Sequence, residues 1–521
     1  MKADKIENLV GTPTGTESAQ KQKFFMKTYL FVYLGSAGVA LLITPIIIWL
    51  ARRLSIVTIP GVRHVHERPV SHIGGVAIFL SMISLTLPVL FLSNVIGDAF
   101  RDILPELIVL LSAACFIFFV GLVDDIRTKG LRARTKFLAQ IASAVVVCAA
   151  GIRIESVAVG NWLTIDFGWF SWPLTLLWII GVTNAVNLSD GLDGLAAGIS
   201  AIACGVIAVF AVYSGQVVMA ILMLALLGSL TGFLFFNFSP AKIFMGDCGS
   251  MFLGFTIASS SVLCSAKSSA LVGLALPMLA LGIPIFDTLF SMLRRFLERR
   301  SIFSADRRHF HHRLIDLGLK QRHVVITIYV LTLLFAGLGM FMMVTRDINS
   351  LVIFLCILLL LILVFYVVGS VRLREIIVGL RRKYAINREM KEEIKNFEDA
   401  QLHFHRADAF NQWWQAVSTA AGKMGFISLN MLLTNRNGTT RKLTWRQGTK
   451  STNSDNEVLK LNVPIRDRRP GPSLNLKIEV PRNGSLESAG RRIALFTRLI
   501  DEHDIPTLPK KNDVRHQSAN G

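Results

Sequence analysis

Asn184, Asn187, Asp190 and Asp193 close an almost wholly apolar run from Pro173 to Val182. Their spacing of three puts neighbours on one helix face, and Gly191 and Gly194 let a ligand approach the backbone. Ionisable groups at membrane depth are costly and mark functional sites. Capping of the next helix by Ser189 or Asp190 accounts for one of these residues, not for all four. Asp124 and Asp125 end a second apolar run, and Asp247 opens a third after Phe244-Met245-Gly246. Two readings stand for the Asp124–Asp125 pair: helix-end charges in water, or carboxylates that hold a cation or orient a phosphate. A hard Mg²⁺ ion takes carboxylate oxygens, waters and substrate phosphates. Asp247 reads either as an N-cap or as part of a helix N-terminus open to an anion.

A fourth cluster, Asp306-Arg307-Arg308-His309-Phe310-His311-His312-Arg313, lies in a long basic loop. No cysteine or carboxylate stands at zinc-finger spacing from these histidines. Guanidinium and imidazole donors suit phosphate oxygens instead. The alternative is a solvated basic loop held by anionic lipid. Arg68-Pro69-Val70-Ser71-His72-Ile73-Gly74-Gly75 is a further, weaker candidate for anion contact.

The elements that must position these residues are apolar helices. The chain has 521 residues, 52% of them hydrophobic, with mean hydropathy +0.52. Blocks of roughly 20 such residues span a bilayer. About eleven are present, at 28–50, 74–97, 103–123, 137–152, 172–188, 194–213, 217–236, 250–265, 270–292, 323–344 and 351–370. The expected fold is therefore an all-α polytopic membrane protein. The first apolar block follows a polar stretch and is too long for a signal-peptide core, so no cleaved signal peptide is expected.

The net charge of +20 invites a nucleic-acid reading, which the loops oppose. Loops after odd-numbered spans hold Arg52, Arg53, Arg63 and Arg68, then Arg127, Lys129, Arg132, Arg134 and Lys136, then Lys242, and then the arginine-rich loop 294–322. Opposite loops offer Arg101, Arg153, Lys267 and Arg346. The positive-inside rule puts the first set in the cytoplasm, with the N-terminus outside and the C-terminus inside. Lysines 2, 5, 21, 23 and 27 of the tail oppose this orientation and are outvoted. All four clusters then fall on the cytoplasmic face, although the topology used lysine and arginine alone. The six cysteines have no paired spacing, so neither a disulfide framework nor a zinc site is expected.

Along the chain, 1–27 reads as a polar tail and 28–370 as the membrane domain. Within the latter, Ile152–Phe170 alternates like a short outward hairpin. Residues 371–402 read as a charged helical linker with near i,i+4 pairs. Four β-like runs follow, Gly425–Leu433, Arg441–Arg446, Val458–Ile465 and Leu474–Val480, divided by turn signals. With the helix Leu486–His503 they define a small cytoplasmic α+β domain at 403–503, ahead of a polar tail at 504–521. It carries no catalytic motif.

Val123-Asp124-Asp125, Asn-x-x-Asn-x-x-Asp-Gly-x-Asp-Gly-Leu, Phe-x-Gly-Asp-x-Gly-Ser and His-x-His-His occur in this order, after Arg-Pro-x-x-His-x-Gly-Gly. Together they resemble the polyprenyl-phosphate N-acetylhexosamine-1-phosphate transferases (glycosyltransferase family 4), over about 45–325 by motif. The resemblance implies transfer of sugar-1-phosphate from a UDP-N-acetylhexosamine to undecaprenyl or another polyprenyl phosphate, with release of UMP, as the first membrane step of an envelope polysaccharide. It implies Mg²⁺, or Mn²⁺, in a multi-pass protein of the plasma (inner) membrane. It assigns Asp247 and Asn187 to the metal, and Asp124, with Asp125 beside it, to the base or nucleophile. Asn184 joins the substrate set. Asp190, Asp193 and Phe244 fall toward the uridine. His309, His311, His312 and Arg308 meet the diphosphate or sugar, and Lys136 the phosphates. His-x-His-His-Arg-Leu is similar to the N-acetylglucosamine branch. Phospho-N-acetylmuramoyl-pentapeptide transferases carry an all-His form and a third acidic residue where this chain has Ile126. Nothing in the resemblance covers the soluble domain, and its partner and a homodimer remain open.

Both reactants are anionic, so a cation and cationic side chains must screen their repulsion. A phosphate monoester has a second pKa of about 6, so Asp124 need not be a strong base. A route through an aspartyl phosphate also stands. Three competing readings are a pentapeptide-transferase-like enzyme, a transporter and a membrane-anchored sensor working through 403–503. Transporters bury such carboxylates near the midplane, whereas these sit at helix ends.

Overall fold

The computed structural model describes residues 15–54, 56–58, 70–159, 163–268, 271–297, 309–344, 348–368, 373–434, 440–447, 458–465, 474–481 and 486–503. It divides into two compact units, Met1–Ile376 and Ile377–Gly521.

The first unit is helical. In chain order it holds α1 (Gly15–Arg53), α2 (Gly75–Thr86), α3 (Val95–Asp102), α4 (Leu104–Ile126), α5 (Ala133–Ala149), α6 (Ser171–Ser189), α7 (Leu195–Tyr213), α8 (Val217–Asn237), α9 (Gly246–Ser268), α10 (Leu271–Ala280), α11 (Gly282–Leu297), α12 (Phe310–Asp316), α13 (Gln321–Val344) and α14 (Ile348–Val367). Helix α9 is central, buried along its apolar length. Phe252 on α9 meets Phe79 of α2 edge-on at 5.3 Å, and Phe79 stacks on Phe118 of α4 at 4.2 Å. Large apolar side chains cover the outside, among them Phe31 (69% exposed), Leu177 (72%) and Phe235 (73%). Such a surface is a liability in water and is the surface that lipid requires.

The protein is a multi-pass membrane protein, and the described residues do not confirm the count of eleven spans. Among the described residues, seven helices are long and apolar enough to cross a bilayer, or nine if each of two bent pairs is one span. The block 74–97 breaks by 100° after Phe91. Pro88 tightens the chain into a 3₁₀ turn, and the Asn94 side chain takes the N–H of Ile96 and Gly97 to start α3 afresh. The block 270–292 breaks by 74° between α10 and α11. There Pro284 has no N–H for the Ala280 carbonyl. Helix α5, with 17 residues, and Leu351–Val367 are shorter than the other candidates. Residues 15–27, read as part of a polar tail, continue α1. Their Glu, Ala, Gln and Lys residues are good helix formers. The expected hairpin forms from β3 (Ser156–Val159) and β4 (Leu163–Asp166), antiparallel. Strands β1 (Val57–Thr58) and β2 (Val70–Ser71) pair beside the loop before α2.

The second unit holds α15 (Leu373–His405, which begins just before the boundary), α16 (Phe410–Lys423), β5 (Ser428–Thr434), β6 (Thr440–Arg446), β7 (Val458–Ile465), β8 (Leu474–Pro481) and α17 (Leu486–Glu502). Its antiparallel sheet has the order β6-β5-β8-β7. Leu429 and Met431 of β5 pair with Ile478 and Leu476 of β8, and all four are buried. Alternation thus gives the sheet one apolar face. Trp413, Phe426 and Phe496 fill the core against it. Phe397, Ala400 and Phe404 of α15 enter the same core, and Glu393 binds Arg491 and Ser488 of α17. The compact unit therefore takes in residues 377–402, which the sequence reading treats as a linker.

Candidate active site

The N-terminus of α9 is enclosed by carboxylates from other elements. Asp125, in the last turn of α4, accepts the N–H of Asp247 on Oδ1 and of Cys248 on Oδ2, both at 2.9 Å. Asp190, just beyond α6, lies beside the same turn, close to the Gly246 backbone and to the charges of Asp247 and Asp125. Two of the first amides of α9, those of Asp247 and Cys248, are thus capped by a side chain distant in sequence. Asp247 is not the cap. It lies inside the first turn with its carboxylate turned to other partners. Gly246 makes the entry possible: its φ is +75°, and a Cβ there would lie 1.9 Å from the His72 carbonyl oxygen.

Asp247 Oδ2 accepts from Lys136 Nζ at 2.5 Å, and Oδ1 from Asn187 Nδ2 at 3.0 Å. Asn187 Nδ2 also donates to Ser250 Oγ at 2.8 Å. Lys136 donates at 3.1 Å to Asp124 Oδ2, while Asp124 Oδ1 takes the Leu131 N–H. One ammonium on α5 therefore bridges the ends of α4 and α9. Asp124, Asp125 and Asp247 each offer an oxygen within 4.8 Å of the others, the group among the described residues that could hold a metal ion. Burial, and then the negative charges of Asp247 and Asp125, push Asp190 up to about 8. Oxygen donors in negative excess around a single bridging ammonium fit a hard divalent cation.

The other expected residues divide. Asn184 makes its hydrogen bonds one turn away from this cluster. Its Nδ2 donates to Gln140 Oε1 at 2.7 Å and to the Ile180 carbonyl. That bond ties α6 to α5 one turn beyond Lys136. Because α6 ends at Ser189, Asp190 and Asp193 do not continue its face. Asp193, 3% exposed, accepts the Ala241 N–H at 3.0 Å and anchors the loop before α9. The backbone of Phe244 is locked beside residues 71–74 by Phe244 N–H to Ser71 O and Gly74 N–H to Phe244 O. His72 donates Nε2–H to the Asp125 carbonyl at 2.7 Å, so the loop 70–75 supports the cluster. Arg68, Asp306, Arg307 and Arg308 lie outside the described residues.

His311 approaches the α6–α7 turn, and His309 and His312 lie beside His311. A Cβ on Gly191 would lie 3.2 Å from His311 Nε2. The His309 and His311 rings are near-parallel, with centroids 5.7 Å apart, and those of His311 and His312 are 4.4 Å apart. Burial, reinforced by His312, holds His311 down at about 4, so its ring is neutral at pH 7. Sequence reasoning missed Gln140, Ser250 and Asp287, which binds His309. Asp287 carried a usable signal, an ionisable residue within the apolar block 270–292.

Residues 107–265 match the glycosyl transferase family 4 pattern. The chain is 39% identical over 298 residues to a probable undecaprenyl-phosphate N-acetylglucosaminyl 1-phosphate transferase of Bacillus subtilis, covering 57% of this chain and 80% of that one. The chain belongs to glycosyl transferase family 4. Further relatives in the family are a decaprenyl-phosphate N-acetylglucosaminephosphotransferase of Mycobacterium leprae (35% identity, 54% of this chain, 75% of that one) and a phospho-N-acetylmuramoyl-pentapeptide-transferase of Bacillus subtilis (34%, 60% and 97%). The family pattern spans α4 to α9, the helices that carry Asp124, Lys136, Asn187 and Asp247.

Proposed function

We propose that the chain transfers N-acetylglucosamine-1-phosphate from UDP-N-acetylglucosamine to undecaprenyl, or another polyprenyl, phosphate and releases UMP. The observation that carries this reading is the Asp124–Lys136–Asp247–Asn187 cluster at helix ends, in a chain 39% identical to a relative named for that transfer. The acceptor's phosphate sits at the membrane surface and the nucleotide arrives from water, so a site at helix ends lets them meet. The basic loops support a cytoplasmic site in the plasma membrane.

Asp247, Asp124 and the Asn187 amide would hold Mg²⁺, which supplies charge screening at the diphosphate. Lys136, already between the two carboxylates, contributes a mobile positive charge to the phosphates. An acceptor oxygen forms the new bond to the sugar-bearing phosphorus, and the bond to UMP breaks. Asp124, held by Lys136 and the Leu131 N–H, suits orientation of the acceptor phosphate better than covalent attack. Asp190, beside the cluster, and Phe244 are assigned toward the uridine, with Asp193 holding the loop beneath them. His309, His311, His312 and Arg308 are assigned to the diphosphate and sugar. Asp125 and Asn184 position these groups from behind.

The test is UMP release by purified protein with polyprenyl phosphate, Mg²⁺ and a panel of UDP-N-acetylhexosamines. Lipid-dependent release with UDP-N-acetylglucosamine, stopped by chelator and restored by Mg²⁺, is expected. Release only with a UDP-N-acetylmuramoyl-peptide donor would move the chain to the pentapeptide branch. Release indifferent to chelator would sink the metal role.

A further inference from the structure

Helix α11 carries Asp287, Ser291 and Arg295 four residues apart, all buried. This polar stripe belongs to none of the clusters legible in the sequence. Asp287 Oδ1 accepts the Phe310 N–H at 2.8 Å, and Oδ2 lies 3.0 Å from His309 Nδ1. A carboxylate only accepts, so Nδ1 carries the hydrogen. One carboxylate thereby fixes both the backbone where α12 begins and the tautomer of the ring before it. That leaves the lone pair of Nε2 as the acceptor the ring offers on its other side. The ring faces His311 in parallel, and His311 abuts Gly191 in the turn after α6. His312 is the other titratable ring beside it. A buried link therefore runs from α11 to the histidines assigned to the anionic donor.

We infer that Asp287 is a positioning residue for the sugar-1-phosphate transfer, acting through His309, which it holds in one tautomer and orientation for the donor's diphosphate-sugar. This rests on the transferase reading. An Asn at 287 can still accept the Phe310 N–H, but its amide offers hydrogens rather than a lone pair to Nδ1, so the ring's tautomer is no longer imposed.

The experiment measures UMP release and thermal unfolding of the detergent-purified full chain for wild type, Asp287→Asn, His309→Gln and the double variant. For Asp287→Asn, kcat is expected to fall about 10- to 100-fold, the scale seen when the outer partner of a working histidine is lost. The KM for polyprenyl phosphate and the unfolding midpoint stay near wild type. The double variant should be no worse than His309→Gln alone by more than about twofold, because both remove one coupled unit. Losses that multiply in the double variant, or an Asp287→Asn enzyme within about twofold of wild-type kcat, overturn the proposal. Should Asp287→Asn fail to fold, His309→Gln decides, since Asp287 still holds Phe310: undiminished kcat overturns the proposal and lost kcat in a stable protein supports it. A folded but silent wild type removes the transferase reading and this proposal together, whereas an active wild type with indifferent variants removes this proposal alone.

Discussion

Both oxygens of Asp125 accept amides of α9, whereas those of Asp247 face Lys136 and Asn187. The two carboxylates should therefore fail differently. Asp125→Asn loses one of two acceptors for buried N–H groups, a cost of about 1–3 kcal/mol. A lower unfolding midpoint with residual UMP release is the expected pairing. Asp247→Asn should keep its midpoint and lose UMP release by about 100-fold or more, since it removes several kcal/mol of charge stabilisation. Identical profiles for the two would contradict the division of roles. His311 carries a pH prediction. Its ring is held at about 4 when folded against 6.5 when free, so the unfolded chain gains the proton first. The stability from keeping it neutral is present above pH 6.5 and is lost as pH falls toward 4, about 3 kcal/mol in all. Denaturant unfolding at pH 7.5 and 4.5 should register this loss, and His311→Gln should abolish its share. The two aspartates of Val123-Asp124-Asp125 were visible from their position at a helix end. Which of them caps α9 was not, because adjacent residues point to different neighbours once helices pack.

At the scale of elements, the site depends on how closely α2 and α4 approach α9. A Cβ on Gly121 would lie 2.6 Å from Cys248 N and Cα, and one on Gly75 2.2 Å from Gly249 N. These are backbone contacts, with no flexible side chain to yield. Gly121→Ala and Gly75→Ala should each cost about 1–3 kcal/mol or more by forcing the helices apart, and displace Asp125 from the α9 amides. Gly181→Ala on α6 meets nothing within 4 Å and serves as the neutral control. Unfolding midpoints of the three variants in one detergent check this; a Gly121→Ala protein as stable as the control would refute the close-packing account. The apolar blocks themselves were legible because hydropathy is a local sum. The breaks after Phe91 and between α10 and α11 were not, since a window average does not register one Asn that restarts a helix or one Pro without an N–H.

For the whole molecule, each described residue assigned to the cluster lies in the first compact unit, and the second has its own core around Trp413, Phe426 and Phe496. A chain stopped after Arg382 is expected to release UMP within about twofold of the full chain, as a separate compact unit permits. Loss of turnover from a stable truncated protein would instead give the second unit a part in catalysis. Hydropathy, alternation and the order of charged clusters lie along the chain, so the sequence by itself determined a multi-pass helical protein, four terminal strands and carboxylates gathered at helix ends. Only the tertiary structure decided how those groups divide their work. Lys136 and Asp247 are 111 residues apart, Asp125 and the Asp247 amide 122, Gln140 and Asn184 44, and Asp287 and His309 22. Each contact exists only after helices have docked to hydrogen-bond tolerance. Spacing along one helix reports which residues share a face, while the partner opposite that face is set by the packing of the bundle.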